Sequence, residues 1–395
     1  MAVRRNRRRP WPCGLVAGAA FALHLALVPG RSLAQTAPHH PVTLAILYPL
    51  GTNQNPEVTT TAELSFCYGR VGALRGLALN GVASVVGHDV RGVQLTGVYS
   101  QVGGSVGGVQ LTGVANYVRS EVRGLQMAGL ANIDLGNVTG VQYGGLFNLV
   151  EGAFVGVQLA SLMNIVETDF GTFQVSGLAN AAGHDVHGLQ LAGGYNFAGN
   201  ELAGIQIGGV NMALEMYGAQ IGIANFGRTA HGLQVGALNR VSEQKGVPVG
   251  LVNLAENAEV DWVSYGSNLT AVNTGVRTTV RRFYSMLTAG TPDLQGDVAD
   301  ALVLTWNYGY LVGAGPIWSF GVDAGFAHYI PALSDDPGEN DRLHWGLQAR
   351  ALAERRLSPK VRAFAGGGVS RIYSEYRLDA PGETEPLFFG GVSLY

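Results

Sequence analysis

A glutamine returns every sixteen residues through the middle of this chain, at Gln94, Gln110, Gln126, Gln142, Gln158, Gln174, Gln190 and Gln206. The interval shortens to fourteen for Gln220 and Gln234, Pro248 takes the next place, and Ala78 precedes the series, so about twelve copies are present. Each copy reads Gly-apolar-Gln-apolar-x-Gly-apolar-x-Asn. An unbroken period of this length marks a stack of coils, none of which can bury its apolar face alone.

With the first Gly of a copy as column one, columns two and four are apolar, as in Val109 and Leu111 or Leu125 and Met127. The Gln stands between them in column three, which is the period-two pattern of a strand. The pattern predicts that columns two and four point into a core and that the Gln, Gln126 for example, faces water. Column six is Gly or Ser (Gly97, Gly113, Gly129, Ser161), and column seven is apolar again (Val98, Val114, Leu130), so a bulge or corner is expected at column six. Column nine is Asn from Asn116 to Asn196, suited to an amide ladder at a buried turn. Column fourteen is mostly polar (Asp89, Glu121, Asp169), and column fifteen is apolar throughout (Val90, Val122, Phe154, Val186). Coils stacked about 4.8 Å apart would align these columns over a length on the order of 55 Å. A large membrane barrel with one hairpin per repeat is the rival architecture. The constant spacing and the shortness of each alternating run weigh against it, since a spanning strand needs roughly nine residues.

The start of the chain reads as a secretory signal over residues 1–34. Arg4, Arg5, Arg7, Arg8 and Arg9 precede an apolar run over 14–28, and Ser32-Leu33-Ala34 supplies a small-residue cleavage site. Removing the signal removes Cys13 and leaves Cys67 as the remaining thiol, expected as a small buried hydrophobe. Residues 35–75 read as a lead-in and cap, with 42–47 as a strand closing the open end of the stack. The 58 glycines are about twice the usual share. Charged residues make up 13% of the chain and the net charge is −3, with no basic patch, so nucleic acid is excluded as a partner.

Three segments together resemble a family of bacterial surface-repeat proteins. They are Pro41-Val42-Thr43-Leu44, Tyr68-Gly69-Arg70 and the Gly-x-Gln-x-x-Gly-x-x-Asn run, spanning roughly residues 41 to 253. The resemblance implies an exported, envelope-associated protein. It carries over no catalytic residues.

Beyond residue 255 the pattern changes. Leu302, Leu304, Trp306, Tyr308 and Tyr310 alternate with Val303, Thr305, Asn307 and Gly309, and similar runs follow to Tyr395. Tight connections at 313–316 and 358–360 alternate with long polar ones at 290–300, 331–341 and 378–386, as in outer-membrane barrels. Five strands from 301 onward, one at 280–289, and two near 260–266 and 270–277 would make eight. An even count places the solenoid on the periplasmic side, whereas the resemblance implies the cell surface. The expected class is therefore all-β: a solenoid over 76–255 and an antiparallel barrel-like domain over 256–395. The alternation leaves open whether the faces of Asp323, Gln348 and Arg350 point to water around an aromatic core or into a membrane barrel.

No constellation of side chains announces chemistry. His88-Asp89 and His184-Asp185 share a Gly-His-Asp-Val context but lie six periods apart, so they read as solvated corners. His39 and His40 sit in the lead-in. Glu151 and Glu167 fall in the same column of successive copies and are the one candidate for a carbohydrate-active site. No catalytic, cofactor-binding or metal residues are assigned and no cofactor is expected. The expected role is a non-enzymatic envelope protein, scaffold or adhesin-like, with outer-membrane lipid and an envelope glycan or protein as partners.

Overall fold

The computed structural model describes residues 38–291, 301–314, 316–331, 344–373 and 383–395. The segments 1–34, 292–300 and most of 331–341 and 378–386, read above as signal and long loops, lie outside the described residues. Residues 39–255 form a parallel β-solenoid of about 14 turns, somewhat more than the twelve copies of the phrase. Each sixteen-residue coil contributes a seven-residue strand, such as Val106–Thr112, and a four-residue strand, such as Ala115–Val118. Register is column on column: Gln110 pairs with Gln126 and Asn116 with Asn132. The fourteen-residue coils keep it, with Gln206 on Gln220 and Asn211 on Asn225. Parallel pairing at the repeat interval rules out the rival barrel of hairpins.

The faces differ from the expectation in one respect. Column fifteen is interior, as its invariance suggests: Val90, Val106, Val122, Val138, Phe154 and Phe170 are buried, and Phe154 stacks on Phe170 at 5.7 Å. The glutamines are interior too, fully buried from Gln94 to Gln234, while the apolar residues flanking them point outward. The cause is in column one. Gly92, Gly108, Gly124, Gly140 and Gly156 hold φ between +132° and +136° or just above, at 137° in Gly140, a conformation open mainly to glycine. A Cβ on Gly108 would stand 2.1 Å from the Gly92 carbonyl oxygen. This kink lets columns sixteen and two both face outward, so the alternation restarts with Gln inside. Column six does not supply the left-handed kink. It supplies close approach, since a Cβ on Gly97 would meet the Gly81 carbonyl at 1.8 Å.

Both ends of the stack are covered. The strand His39–Leu47 lies parallel on Thr59–Val71 and receives Leu50–Gly51 as an antiparallel partner. At the other end the last coil strand, Val247–Ala255, rests on the C-terminal domain. There Ser285 Oγ donates to the Gly250 carbonyl at 2.7 Å, and Trp306 Nε1 to the same oxygen at 3.2 Å. Side chains thus occupy edge carbonyls that would otherwise recruit another strand.

The C-terminal domain is a closed antiparallel barrel of eight strands, Glu259–Ser267, Val272–Val280, Phe283–Thr291, Ala301–Ala314, Trp318–Pro331, His344–Ser358, Val361–Tyr373 and Glu383–Leu394. Closure runs through Trp262 opposite Leu394. Asp323 and Arg350 point into the barrel, and Gln348 is half-buried, while Val322 and Phe320 point out.

Candidate functional site, an apolar flank over an amide core

The interior of the coil has two halves. Under the charged corner, columns eleven and fifteen pack Val102, Val106, Val118, Val122 and their counterparts into a continuous apolar core. Under columns two to nine the interior is polar and bonded along the axis. Each Gln Nε2 donates to the Oε1 of the preceding coil, in nine successive bonds of 2.8–3.0 Å from Gln110 to Gln234. Each Asn Nδ2 donates the opposite way, to the Oδ1 of the next coil, in nine bonds of 2.7–3.1 Å from Asn116 to Asn253. The second proton of each Asn amide goes to a column-four carbonyl, as from Asn132 to Tyr143 at 2.7 Å and Asn148 to Leu159 at 2.7 Å. Buried amides are tolerable only when bonded, and these are.

Outside this amide half lies the apolar flank. Columns two, four and seven present Leu79, Val98, Leu130, Leu162 and Leu178 to the exterior; Leu178 is 53% exposed, against 0% for Gln174 in the same coil. Near the cap the flank deepens into a groove of about 1360 Å³ between Leu44, Ile46 and Leu50 of the cap and Leu79, Leu95, Leu111, Met127 and Tyr143 of successive coils. A second groove of about 700 Å³ continues the line over Ile207, Ile221, Val235 and Val249 and ends against Trp306 of the barrel. Contiguous exposed apolar surface on this scale marks an interaction site.

Two acids sit inside the stack, at positions that the repeated phrase does not mark. Asp134 occupies column eleven, where the neighbouring coils carry Val118 and Val150. Gln126 Nε2 donates to its Oδ1 at 2.9 Å, and Gln142 Nε2 to its other oxygen. Burial pushes its carboxyl up to about 7 despite those donors. Glu63 stands in the glutamine column ahead of Ala78, and burial pushes it up to about 7 against the opposing bond from Asn80. An acid in a column otherwise of valine and alanine was the available signal for Asp134, whereas Glu63 lies ahead of the repeat, fifteen residues before Ala78, and carries no such signal.

The candidates from the sequence stay apart. His88 Nε2 meets Glu57 at 3.0 Å and His184 Nδ1 lies 4.0 Å from Asp169, both at exposed corners. Their aspartates serve the coil: Asp89 accepts the Ser105 amide at 3.0 Å and Asp185 the Glu201 amide at 3.1 Å. His39 contacts Thr61 at 3.2 Å. Glu151 and Glu167 do follow in-register strands, Phe147–Val150 and Met163–Val166. Partial burial and the Glu167 charge raise the Glu151 carboxyl above its ordinary range. Among the described residues no group of three or more His, Cys, Asp and Glu side chains converges on a point. Cys67 is half-buried and free, more open than a core thiol.

The fold and flank define a class: a parallel solenoid with a polar, amide-bonded half and an apolar exterior, joined end-on to a closed eight-stranded barrel. Comparison with family models, with curated proteins and with solved structures finds no match.

Proposed function

We propose that this chain is an exported, non-enzymatic protein of a Gram-negative envelope, held in the outer membrane by its barrel and presenting the solenoid as a scaffold or adhesin-like binding module. One observation carries the reading. The barrel wall is apolar outside, and its interior sets fully buried ion pairs beside a smaller apolar and aromatic cluster that includes Val263, Met286, Phe364 and Phe389. Val322 and Phe320 are at least half exposed, while Arg277, buried, pairs with Asp261 at 2.8 Å and with Glu354 at 2.6 Å in the interior. Asp323 is gripped by Arg350 at 2.8 and 3.0 Å and receives the Tyr284 hydroxyl and the Asn307 amide. A water-soluble barrel would cover its outside with polar side chains, whereas a membrane barrel needs an outward apolar band and closed strands, and Trp262, Leu287, Leu304, Leu347 and Val369 extend that band around the wall. The basic and apolar start of the chain supports export, and the resemblance to surface-repeat proteins supports an envelope location with a glycan or protein partner. Fractionation tests the reading: the intact mature chain is expected with the outer membrane, and its recovery from the soluble periplasm would overturn the barrel anchor. Protease treatment of whole cells reports the side, since loss of the repeat with the membrane intact places it outside, against the periplasmic side favoured by the strand count.

A second reading rests on the Glu151 and Glu167 pair, a carbohydrate-active site on the solenoid edge. A hydrolase and glycan-binding screen with the full chain separates the two. Turnover abolished by Glu151→Gln would favour the enzyme.

A further inference from the structure

We propose that the solenoid's apolar flank is a second lipid-contacting surface, resting on membrane hydrocarbon beside the barrel wall, while the charged corner of each coil faces water. The inference rests on the membrane reading of the barrel and extends it to a region that reading leaves unexplained.

Three observations carry it. Columns two, four and seven contain no charged residue in any coil from Gly76 to Asn253, whereas Asp89, Glu121, Glu167 and Asp169 gather at the corner, and Arg75, Arg91 and Arg123 stand beside that corner in column sixteen. This is the segregation of an interfacial amphipathic element, built from strands instead of a helix. The flank also offers water little to bond. The stack joins the backbone of coil to coil, and the column-four carbonyls at the flank are taken from within by the asparagine ladder, as in Asn164 to Val175 at 2.8 Å. Hydrocarbon admits only backbone whose polar groups are internally satisfied. Finally, the flank is continuous with the barrel's outer surface. Trp306 lies within the strand Ala301–Ala314, not at its rim, on the face opposite interior Asn307, and it closes the second groove against Ile221 and Leu251. If that wall meets lipid, the last coils lie at the same depth.

The amide core explains how such a surface is held. A coil with leucine outside and leucine inside would have no preferred face, since a one-residue slip exchanges the two. Glutamine and asparagine bonded along the axis fix which side turns inward.

Spin-label accessibility on the full mature chain reconstituted in phosphatidylcholine–phosphatidylglycerol vesicles tests the proposal, on a Cys67→Ala background. Labels are placed by Val322→Cys on the barrel wall, Leu178→Cys on the flank and Glu167→Cys at the corner, all exposed positions whose substitution spares the core. The expected result is severalfold greater collision with oxygen than with a water-soluble nickel complex at both Val322→Cys and Leu178→Cys, and the reverse at Glu167→Cys. Oxygen preference at Val322→Cys with nickel preference at Leu178→Cys would overturn the proposal and leave the barrel anchor standing. Low collision with both reagents at Leu178→Cys would also overturn it, showing a protein partner on the flank. Nickel preference at both would overturn the proposal and the membrane reading together.

Discussion

The solenoid and the barrel turn the same polarity inside out by different means. In the barrel a few charges meet in the interior, Arg277 between Asp261 and Glu354, and Arg350 on Asp323. In the solenoid the polar interior is neutral and repetitive, one glutamine and one asparagine per coil. Geometry accounts for the difference. An antiparallel barrel brings together residues far apart in sequence, so each pairing is made once and a charge can find its partner. A parallel stack repeats every column at the strand spacing of about 4.8 Å, where a column of like charges would repel itself. An amide is both donor and acceptor, so it alone among polar groups of that length can satisfy itself in an endless column. The solenoid departs from this rule at Asp134, where two glutamines share one carboxylate.

Breaking the solenoid's interior should have the largest effect. Val138→Asp places an unpaired charge in the apolar half, and Gln126→Lys places one in the amide half. Each is expected to cost on the order of 4 kcal/mol or more, read as a collapse of the urea midpoint of the solenoid. The second outcome reverses what the alternation alone suggests, that Gln126→Lys is harmless. In the barrel, Arg350→Met leaves Asp323 buried without its cation and should cost about 3–5 kcal/mol, whereas Arg350→Met with Asp323→Leu should recover most of the loss. Heat-dependent gel mobility of the folded barrel reports both. If the double variant is no better than the single, the pair is not the unit described.

A smaller effect is written in pH. The fold holds the Asp134 proton more tightly than the unfolded chain does, with the carboxyl raised from 3.8 to about 7. Its contribution is therefore fully present below the unfolded value, declines as pH rises through that window, and is gone above about 7. The loss is on the order of 4 kcal/mol by the shift, with Glu63 adding a parallel loss at the cap. Asp134→Val should flatten part of the fall in the urea midpoint between pH 4.5 and 8 measured for the natural chain; an unchanged slope would show that Asp134 is not the titrating group. The least effect is expected at Thr172, which holds φ at 100° in the column otherwise kept by glycine. Thr172→Gly should gain about 1 kcal/mol, seen as a raised melting temperature, by relieving that strain.

Much of this was legible before the structure. The sixteen-residue interval carried the coil register, column fifteen the apolar core, column nine the amide ladder, and the spacing of alternating runs the eight strands of the barrel. The faces were not legible. In Val109-Gln110-Leu111 alternation is symmetric, and the usual assumption that apolar means inside assigns it backwards here. The decisive residue is the left-handed glycine of column one, whose φ is a property of the folded coil. Pairings such as Arg277 with Glu354, 77 positions apart, are set by barrel closure and have no local sign. Asp134 was the exception, visible as an acid in a column of valines and alanines.

The central claim is that the glutamines form the bonded interior beneath an apolar exterior, and side-chain amide exchange tests it most directly. In the full chain labelled with 15N at glutamine and asparagine, the side-chain protons of Gln110 through Gln220 and Asn132 through Asn239 are expected to persist in deuterated solvent together with the strand backbone. Exchange of the Gln126, Gln142 and Gln158 amides at the rate of a free side chain, while the backbone stays protected, would place them outside and contradict the account.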